Sequence, residues 1–485
     1  MPVALHLAIL PFFCLIALSA SSPLSAAITE PTDFSAILGQ TGAGLPPVWG
    51  TNGNKAVPAD YEMDPEIVND PAYRDRIVPA LKSIPGFYIT MASEDLFGAE
   101  HGIYSHPQQT GSESERQASI AFTNHDVRAA FKLSLGIRIQ GGWNRRPEES
   151  PKHSFRLTFR KKYGGVLKFP LFGGAAPAQF ETLILRGGNN NSWLHWSGEE
   201  RHRADFIRDQ WMRDTYRQMG HPSARGVFVH LYLNGLYWGL YNVCERPDAT
   251  FAAAHFGGSP KDYDSRNADK ILEGDDVAWK KLFALANAGL ADPARYSQVS
   301  ALLDLPAFSD FMLVNLYGAN ADWDRSSNWY AARRRGPGGK FYFFVWDGER
   351  TLEKFADNTI AFDDDQSPAR LFQKLRANPE FRKFFTLRAR LHCLDDGALS
   401  PAASAKRFRS WADTIDLAVI AESARWGDYR RDVHPYKTGP YELYTRDKDW
   451  RPEIDRLLND YFPRRTTLFL QQLKSAGLYD DANVR

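Results

Sequence analysis

Acidic and amide side chains directly precede and follow one predicted hairpin in the second half of the chain. Two strand-like runs, 329–333 and 340–345, are joined by a turn rich in Gly and Pro. Asn328 precedes the first run and Asp347 follows the second, at similar distances from the turn. Because antiparallel strands align residues in this way, we expect the two side chains to lie side by side at the open end.

Asp322 and Asp324 come shortly before Asn328 and belong to the same end of the hairpin. Carboxylate and amide oxygens suit a hard cation such as Mg²⁺ that also binds phosphates. Kinase-type sites use the same order, with a loop Asp, an Asn on the metal, a hairpin, and an Asp on the metal. A polar loop that caps the hairpin is the alternative, since turns favour Asp and Asn for local reasons.

The usual nucleotide-binding motifs are absent from the sequence. It contains no G-x-x-x-x-G-K-[ST], no H-R-D-x-x-x-x-N and no D-F-G. The 485 residues carry a net charge of +1, which argues against a nucleic-acid partner. Three cysteines exclude a Cys-based metal cluster, and we expect Cys244 and Cys393 to be buried thiols, although they could pair in an oxidising compartment.

The N-terminus has the pattern of an export signal. Residues 1–27 contain an apolar run followed by Ser25-Ala26-Ala27, which suits signal peptidase. We therefore predict a mature protein that begins near Ile28 and is secreted, periplasmic or attached to the cell surface. An uncleaved anchor is the alternative, but no other run is long enough for a membrane span after cleavage.

The remainder of the chain divides by pattern into three parts. Residues 28–85 lack periodicity and are predicted to form an extended leader. Residues 86–255 contain strand patterns, with Asn234-Gly235 between two apolar runs as the clearest hairpin turn. Residues 256–480 are mostly helical in pattern, and two of the long helices are predicted over 369–395 and 402–426. Strands early and helices late predict an α+β fold.

Several segments together resemble the CotH kinase family, the spore coat protein H-like atypical protein kinases, from about Ser93 to Tyr479. The segments are Asp95–Gly98, Gly102–Tyr104, Gly136–Gly142, Pro151-Lys152, Phe155–Leu157, Leu185–Gly188, Ile207–Trp211, Tyr232–Tyr241, Glu245–Asp248, Glu273–Asp275 with Trp279, Asn320–Trp323, Asn328, Trp346-Asp347 and Glu422–Asp428.

This resemblance implies a protein-kinase-like fold with a β-rich N-terminal lobe and an α-rich C-terminal lobe. It also implies ATP with Mg²⁺ or Mn²⁺ as cofactors. Asp347 and Asn328 then match the metal ligands, and Asp322 matches the catalytic Asp that orients the acceptor hydroxyl. Asp324 is a close rival for the catalytic role.

The nucleotide-binding residues are predicted from small and charged side chains. Gly141 and Gly142 lie in a loop between strands, with Lys152 nearby, and could let backbone N–H groups approach phosphates. A plain strand turn is the alternative. Glu245 could pair with a phosphate-binding Lys, or could be a carboxylate at a helix start.

Lys270 stands where a nucleotide-contacting Lys is expected, with Arg266 as a competing register. Family members often have an apolar run ending in Lys at this place, whereas Ser265-Arg266-Asn267 stands here.

The leading hypothesis is an exported kinase that phosphorylates Ser or Thr of secreted or surface proteins. The departure at 265–267 favours a second class, a catalytically inactive surface or matrix binding protein. A glycoside hydrolase is a third, because two carboxylates in a cleft could serve it. The sequence assigns neither an oligomeric state nor a specific acceptor.

Overall fold

The computed structural model describes residues 30–52, 54–124, 128–174, 176–324 and 328–480. The predicted signal peptide lies outside these residues. Strands and helices both contribute substantially, which confirms the α+β class. The strands are β1 (Val48–Asn52), β2 (Lys55–Pro58), β3 (Gly86–Thr90), β4 (Arg116–Asn124), β5 (Ala129–Gln140), β6 (Ser154–Thr158), β7 (Leu167–Lys168), β8 (Gln179–Phe180), β9 (Thr182–Arg186), β10 (Gly226–Leu233), β11 (Leu236–Glu245), β12 (Tyr263–Asn267), β13 (Lys270–Glu273), β14 (Trp329–Arg334) and β15 (Phe341–Val345).

The helices are concentrated after residue 249. They are α1 (Pro65–Val68), α2 (Ile77–Leu81), α3 (Ser93–Phe97), α4 (Gly198–His202), α5 (Arg208–Gln218), α6 (Ala249–Phe256), α7 (Val277–Asn287), α8 (Pro293–Leu302), α9 (Leu305–Tyr317), α10 (Pro368–Leu375), α11 (Pro379–Cys393), α12 (Pro401–Ile415), α13 (Ala418–Trp426), α14 (Arg451–Arg456) and α15 (Phe462–Ser475).

A closed barrel has the strand order β10-β11-β9-β6-β5-β4-β3. Its strands pair antiparallel except for β10 and β3, which run parallel and close the barrel. The predicted Asn-Gly hairpin is confirmed as β10 and β11. Asn234 and Gly235 have φ of 49° and 86°, the positive values that a type I′ turn requires. Alternate side chains point inward, and Phe87, Leu135 and Leu157 are among those fully buried.

The second sheet has the order β13-β12-β14-β15 and packs against helices. Helix α9 lies against β15, and α5 lies against α9. Aromatic side chains fill the space between these elements, with Trp279, Trp329 and Phe343 all buried in one cluster. The second half of the chain is therefore helical around a small sheet that carries the predicted hairpin.

Residues 30–85 differ from the predicted extended leader. They form β1, β2, α1, α2 and a short 3-10 helix, and they bury large aromatic side chains. Trp49 packs on Trp238 and Trp426, with ring centroids 5.5 and 6.0 Å apart. The elements have at most six residues, too few to display a period, so their burial depends on distant partners.

Two long predicted helices are each interrupted. The 369–395 prediction becomes α10 and α11, because Asn378 caps the second helix and Pro379 begins it. The 402–426 prediction becomes α12 and α13. Cys244 and Cys393 are buried free thiols, as expected. Within the described residues, no helix has the length and apolar character needed to cross a membrane.

Candidate functional site

A cleft of about 640 Å³ lies at the open end of the β14–β15 hairpin. Its walls come from the loop after β5, the end of β9, and the segments on either side of the hairpin. Five residues predicted from the sequence line it together: Gly141, Gly142, Asp322, Asn328 and Asp347.

The hairpin register places Asn328 and Asp347 near one another but not directly opposite. Trp329 pairs with Val345, so Asn328 stands across from Trp346, and Asp347 lies one residue further along. The predicted alignment was therefore displaced by one residue. Both side chains still reach the cleft, because the strands end together at this edge.

Two hydrogen bonds hold the backbone of Asp322 near the start of the hairpin. The buried side chain of Asn320 accepts a hydrogen bond from the Asp322 backbone N–H, with a distance of 3.2 Å. The Nδ2 group of Asn328 donates to the backbone carbonyl of Asp322. Asp322 and Asn328 are therefore held next to each other. Asp324 is buried and does not line the cleft.

Arg186 connects the acidic residues at the end of the cleft. Its Nη2 group donates to Asp347 Oδ1 and to Glu349 Oε1, each 2.6 Å away. Its Nε atom lies 3.1 Å from Asp209 Oδ2. We call these four residues the Arg186 cluster: Arg186, Asp209, Asp347 and Glu349. One guanidinium, in a side chain that is 10% exposed, thus positions three carboxylates.

The backbone of Asp347 is held in an unusual conformation. Its φ is 61°, in the left-handed region that non-glycine residues rarely adopt. The next residue, Gly348, donates its N–H to Asp209 Oδ1 at 2.9 Å, which stabilises the turn. Strained backbone of this kind often occurs at functional sites. Here it directs the Asp347 carboxylate, 30% exposed, into the cleft.

Burial and charge alter the pKa values of the cluster. Burial, reinforced by the Asp347 charge and opposed by Arg186, raises the pKa of Glu349 to about 7. Burial would also raise the pKa of Asp209, but Arg186 and Arg213 outweigh it and lower that pKa. Glu349 therefore changes its charge near neutral pH, whereas Asp209 stays ionised there.

Sequence reasoning assigned no role to Arg186 or Glu349. Arg186 stands in Leu185–Gly188, a segment that carries the family resemblance, and Glu349 lies two residues after Trp346-Asp347. The backbone N–H of Asn190 donates to Glu349 Oε2 at 2.8 Å, which adds the loop after β9 to the site. The sequence signal that could have identified Arg186 is a charged residue at the end of a predicted strand, directly before Gly187-Gly188.

Lys152, a predicted nucleotide-binding residue, lies outside the cleft. Its Nζ atom is fully buried, bonds Glu422 Oε1 at 2.5 Å and donates to the Leu240 carbonyl at 2.7 Å. Burial lowers the pKa of Lys152, while Glu422 opposes that shift. In this arrangement Lys152 joins the barrel to α13, and it is not among the residues that line the cleft.

Glu245 and Lys270 are also outside the cleft lining. Glu245 ends β11, is buried, and accepts the backbone N–H of Arg225 at 3.0 Å. Lys270 is exposed at the start of β13. Its competitor Arg266 stacks on Trp279, with the guanidinium 3.9 Å from the ring centroid. Asn267, next along β12, is the residue of this hairpin that lines the cleft.

The residues of the cleft fit a nucleotide with a divalent cation. Among the residues that the structure describes, no group of three or more His, Cys, Asp or Glu side chains is arranged to hold a metal alone. Mg²⁺ commonly takes one or two protein carboxylates and completes its shell with phosphates and water. Asn328 and Asp347 offer such a partial set, and the cleft volume lies within the usual range for ligand sites, about 300–1,000 Å³.

A family model described as CotH kinase protein matches residues 137–467. This span contains the cleft residues, the hairpin and the Arg186 cluster. A comparison with curated proteins found no match.

Proposed function

The chain belongs to the CotH kinase family, and we propose that it is an exported kinase that transfers the γ-phosphate of ATP to Ser or Thr of secreted or surface proteins. The observation that carries the proposal is the gathering of Asp322, Asn328 and Asp347 in one cleft with Gly141 and Gly142. The export part rests on the signal-peptide pattern of residues 1–27.

In this proposal the protein supplies positioning and charge rather than covalent chemistry. Asn328 and Asp347 would hold Mg²⁺ or Mn²⁺, which neutralises charge on the transferred phosphoryl group when bound. Gly141 and Gly142 line the cleft, and because they lack side chains, phosphates could approach their backbone N–H groups. Gly141 has a φ of 128°, which favours glycine.

Asp322 orients the acceptor hydroxyl and accepts its proton. Its place in the cleft wall supports this role over Asp324, which is buried and does not line the cleft. The hydrogen bonds that the Asp322 backbone forms with the side chains of Asn320 and Asn328 hold this residue beside a proposed metal ligand. Fixed geometry of this kind lowers the barrier for transfer because little reorganisation remains.

We further propose that the barrel acts as the N-terminal lobe of a kinase-like arrangement and the helical part as the C-terminal lobe. Gly141 and Gly142 come from the barrel, whereas Asp322, Asn328 and Asp347 come from the second half of the chain. A cleft with one wall from each part is what a nucleotide between two lobes requires.

Thermal unfolding with nucleotide and metal tests the proposal. ATP with Mg²⁺ or Mn²⁺ is expected to raise the melting temperature, while ATP in chelator is not, because only a ligand of the native state stabilises it. Asp347→Ala should abolish this rise without loss of the fold. Equal stabilisation of the wild type and Asp347→Ala would place the nucleotide elsewhere.

Transfer to hydroxyl acceptors is the second half of the test. Radiolabelled ATP with Ser-rich secreted proteins from the same source should give labelled protein. Binding of ATP without transfer to any acceptor would overturn the kinase proposal.

A further inference from the structure

A second groove, of about 570 Å³, lies at the turn end of the β14–β15 hairpin, away from Asn328 and Asp347. Two aromatic side chains, Phe256 and Tyr342, form one side with ring centroids 4.5 Å apart, and both are half-buried. Its lining residues are Phe256, Tyr263, Arg334, Arg335, Pro337, Gly338, Gly339, Lys340 and Tyr342, with three cations and no carboxylate.

Two of the three cations that line this groove have no ion-pair partner among the described residues. Arg335 shares the carboxylate of Asp264 with Arg333, which does not line the groove, at distances of 3.4 and 3.3 Å. Arg334 is exposed and Lys340 half-buried, and neither forms an ion pair with another described residue. Two further carboxylates, Asp262 and Asp304, lie near the hydroxyl groups of Tyr263 and Tyr342. The positive charge open to a ligand is therefore that of Arg334 and Lys340.

We propose that the groove docks an acidic peptide segment with an aromatic side chain, supplied by the acceptor protein. Guanidinium groups bind carboxylates through paired hydrogen bonds. A partly exposed aromatic pair accepts a further ring edge to face. The role in substrate choice rests on the proposed kinase function, whereas the binding itself does not. A nucleic acid is disfavoured because the patch is short and the whole chain carries a net charge of only +1.

The position of the groove sets the spacing within the substrate. Arg334 stands six positions after Asn328 along β14, and a strand rises about 3.3 Å per residue, so the two residues lie roughly 20 Å apart. An acceptor hydroxyl in the cleft and an acidic segment in the groove therefore need at least about six extended residues between them.

Fluorescence anisotropy with the full chain tests the docking without nucleotide. The probe is a labelled peptide of Asp and Glu around one Tyr, and its control replaces Asp and Glu by Asn and Gln. The acidic probe should bind, and Arg334→Glu combined with Lys340→Glu should weaken it at least about tenfold. A matched double reversal on the exposed face of α12, Lys406→Glu with Arg409→Glu, should leave the affinity unchanged.

Two results would overturn the docking proposal. One is equal binding by the wild type and the groove variant. The other is a single-stranded oligonucleotide that competes for the same residues with equal affinity. If the charge-reversed variant does not fold, Arg334→Gln with Lys340→Gln replaces it, and a loss of affinity is expected again.

A transfer assay separates this inference from the proposed function. Peptides with about eight residues between the acidic segment and Ser should be phosphorylated with a lower KM than peptides with about two. Binding without transfer would overturn the kinase proposal and leave the docking site standing. Transfer with a KM that ignores both the spacing and the groove variant would overturn the docking site and leave the kinase standing.

Discussion

Replacing Arg186 by methionine should destabilise the fold and at the same time tighten the binding of a divalent cation. Arg186 is 10% exposed and contacts three carboxylates, of which Asp209 and Glu349 are buried. Its removal leaves these groups with less positive charge, while the vacated space faces the cleft. A cation that competes with Arg186 for Asp347 and Glu349 in the wild type then has no competitor.

The size of the destabilisation follows from the burial. Breaking a buried ion pair by removing one partner costs about 3–5 kcal/mol of the free energy of unfolding. The lower end is expected here, because Asp347 is partly exposed and can be solvated. Glu349, whose pKa is already raised to about 7, can also take up a proton and lose its charge.

Calorimetric unfolding in chelator and in excess Mn²⁺ measures both effects, and titration calorimetry measures the Mn²⁺ affinity directly. Mn²⁺ should raise the melting temperature of Arg186→Met more than that of the wild type. Arg186→Lys is the matched control. It keeps the charge but loses the fork of donors, so it should lie between the two in stability and should resemble the wild type in metal binding.

An Arg186→Met variant as stable as the wild type would refute the argument from burial. Weaker Mn²⁺ binding in that variant would refute the argument from competition. If Arg186→Met does not fold, Arg186→Lys alone decides the stability claim.

Three further predictions use other residues. Asp322→Asn should retain ATP affinity and lose turnover by roughly two to four powers of ten, the usual contribution of a positioned acid–base group. Asp324→Asn should lose much less turnover. Transfer of labelled phosphate by both variants checks this, and the opposite result would assign the catalytic role to Asp324. The pKa of Glu349 is raised to about 7, so the native state holds a proton that the unfolded chain has released, and this contribution to stability is lost as pH rises through 7. Glu349→Gln should therefore flatten the pH dependence and exceed the wild type in stability above pH 7 in denaturant titrations, and an unchanged slope would contradict it. Lys152→Met removes the ion-pair partner of the buried Glu422 carboxylate, so it should lower the free energy of unfolding by about 3–5 kcal/mol in chemical denaturation. The folded protein should keep its ATP affinity. A loss of ATP affinity without a loss of stability would support the prediction that Lys152 binds the nucleotide.

Local signals in the sequence predicted much of the geometry of the candidate site. The β14–β15 hairpin follows from two strand-like runs around a Gly-Pro turn, and it brings Asn328 and Asp347 to one end. The Asn234-Gly235 turn is equally local, because the turn type depends on two adjacent residues. Both features need only short stretches of chain.

The parts that sequence reasoning missed depend on contacts between distant residues. Arg186 forms an ion pair with Asp347, which is 161 positions away in the sequence, and no local pattern predicts that pairing. In the sequence, Lys152 follows a glycine loop and was predicted to bind the nucleotide. In the structure it pairs with Glu422, which stands 270 positions later in the chain. Trp49 stands in a segment without periodicity, and its burial is supplied by Trp238 and Trp426. The interrupted helix at 378–379 is different, since Asn-Pro was a readable local signal.

The Lys152–Glu422 pair also constrains the order in which this chain can become folded. The two residues are 270 positions apart, and Arg425 bonds Asp60 across 365 positions. The barrel strands are synthesised early, whereas α13 is synthesised late. Lys152 therefore has no counterion until α13 has been made and has packed on the barrel. A chain emerging from a ribosome or a translocation pore would remain incompletely folded until nearly all of it is free. Fragments that end before residue 418 should expose the barrel surface that α13 covers and should bind chaperones instead of folding.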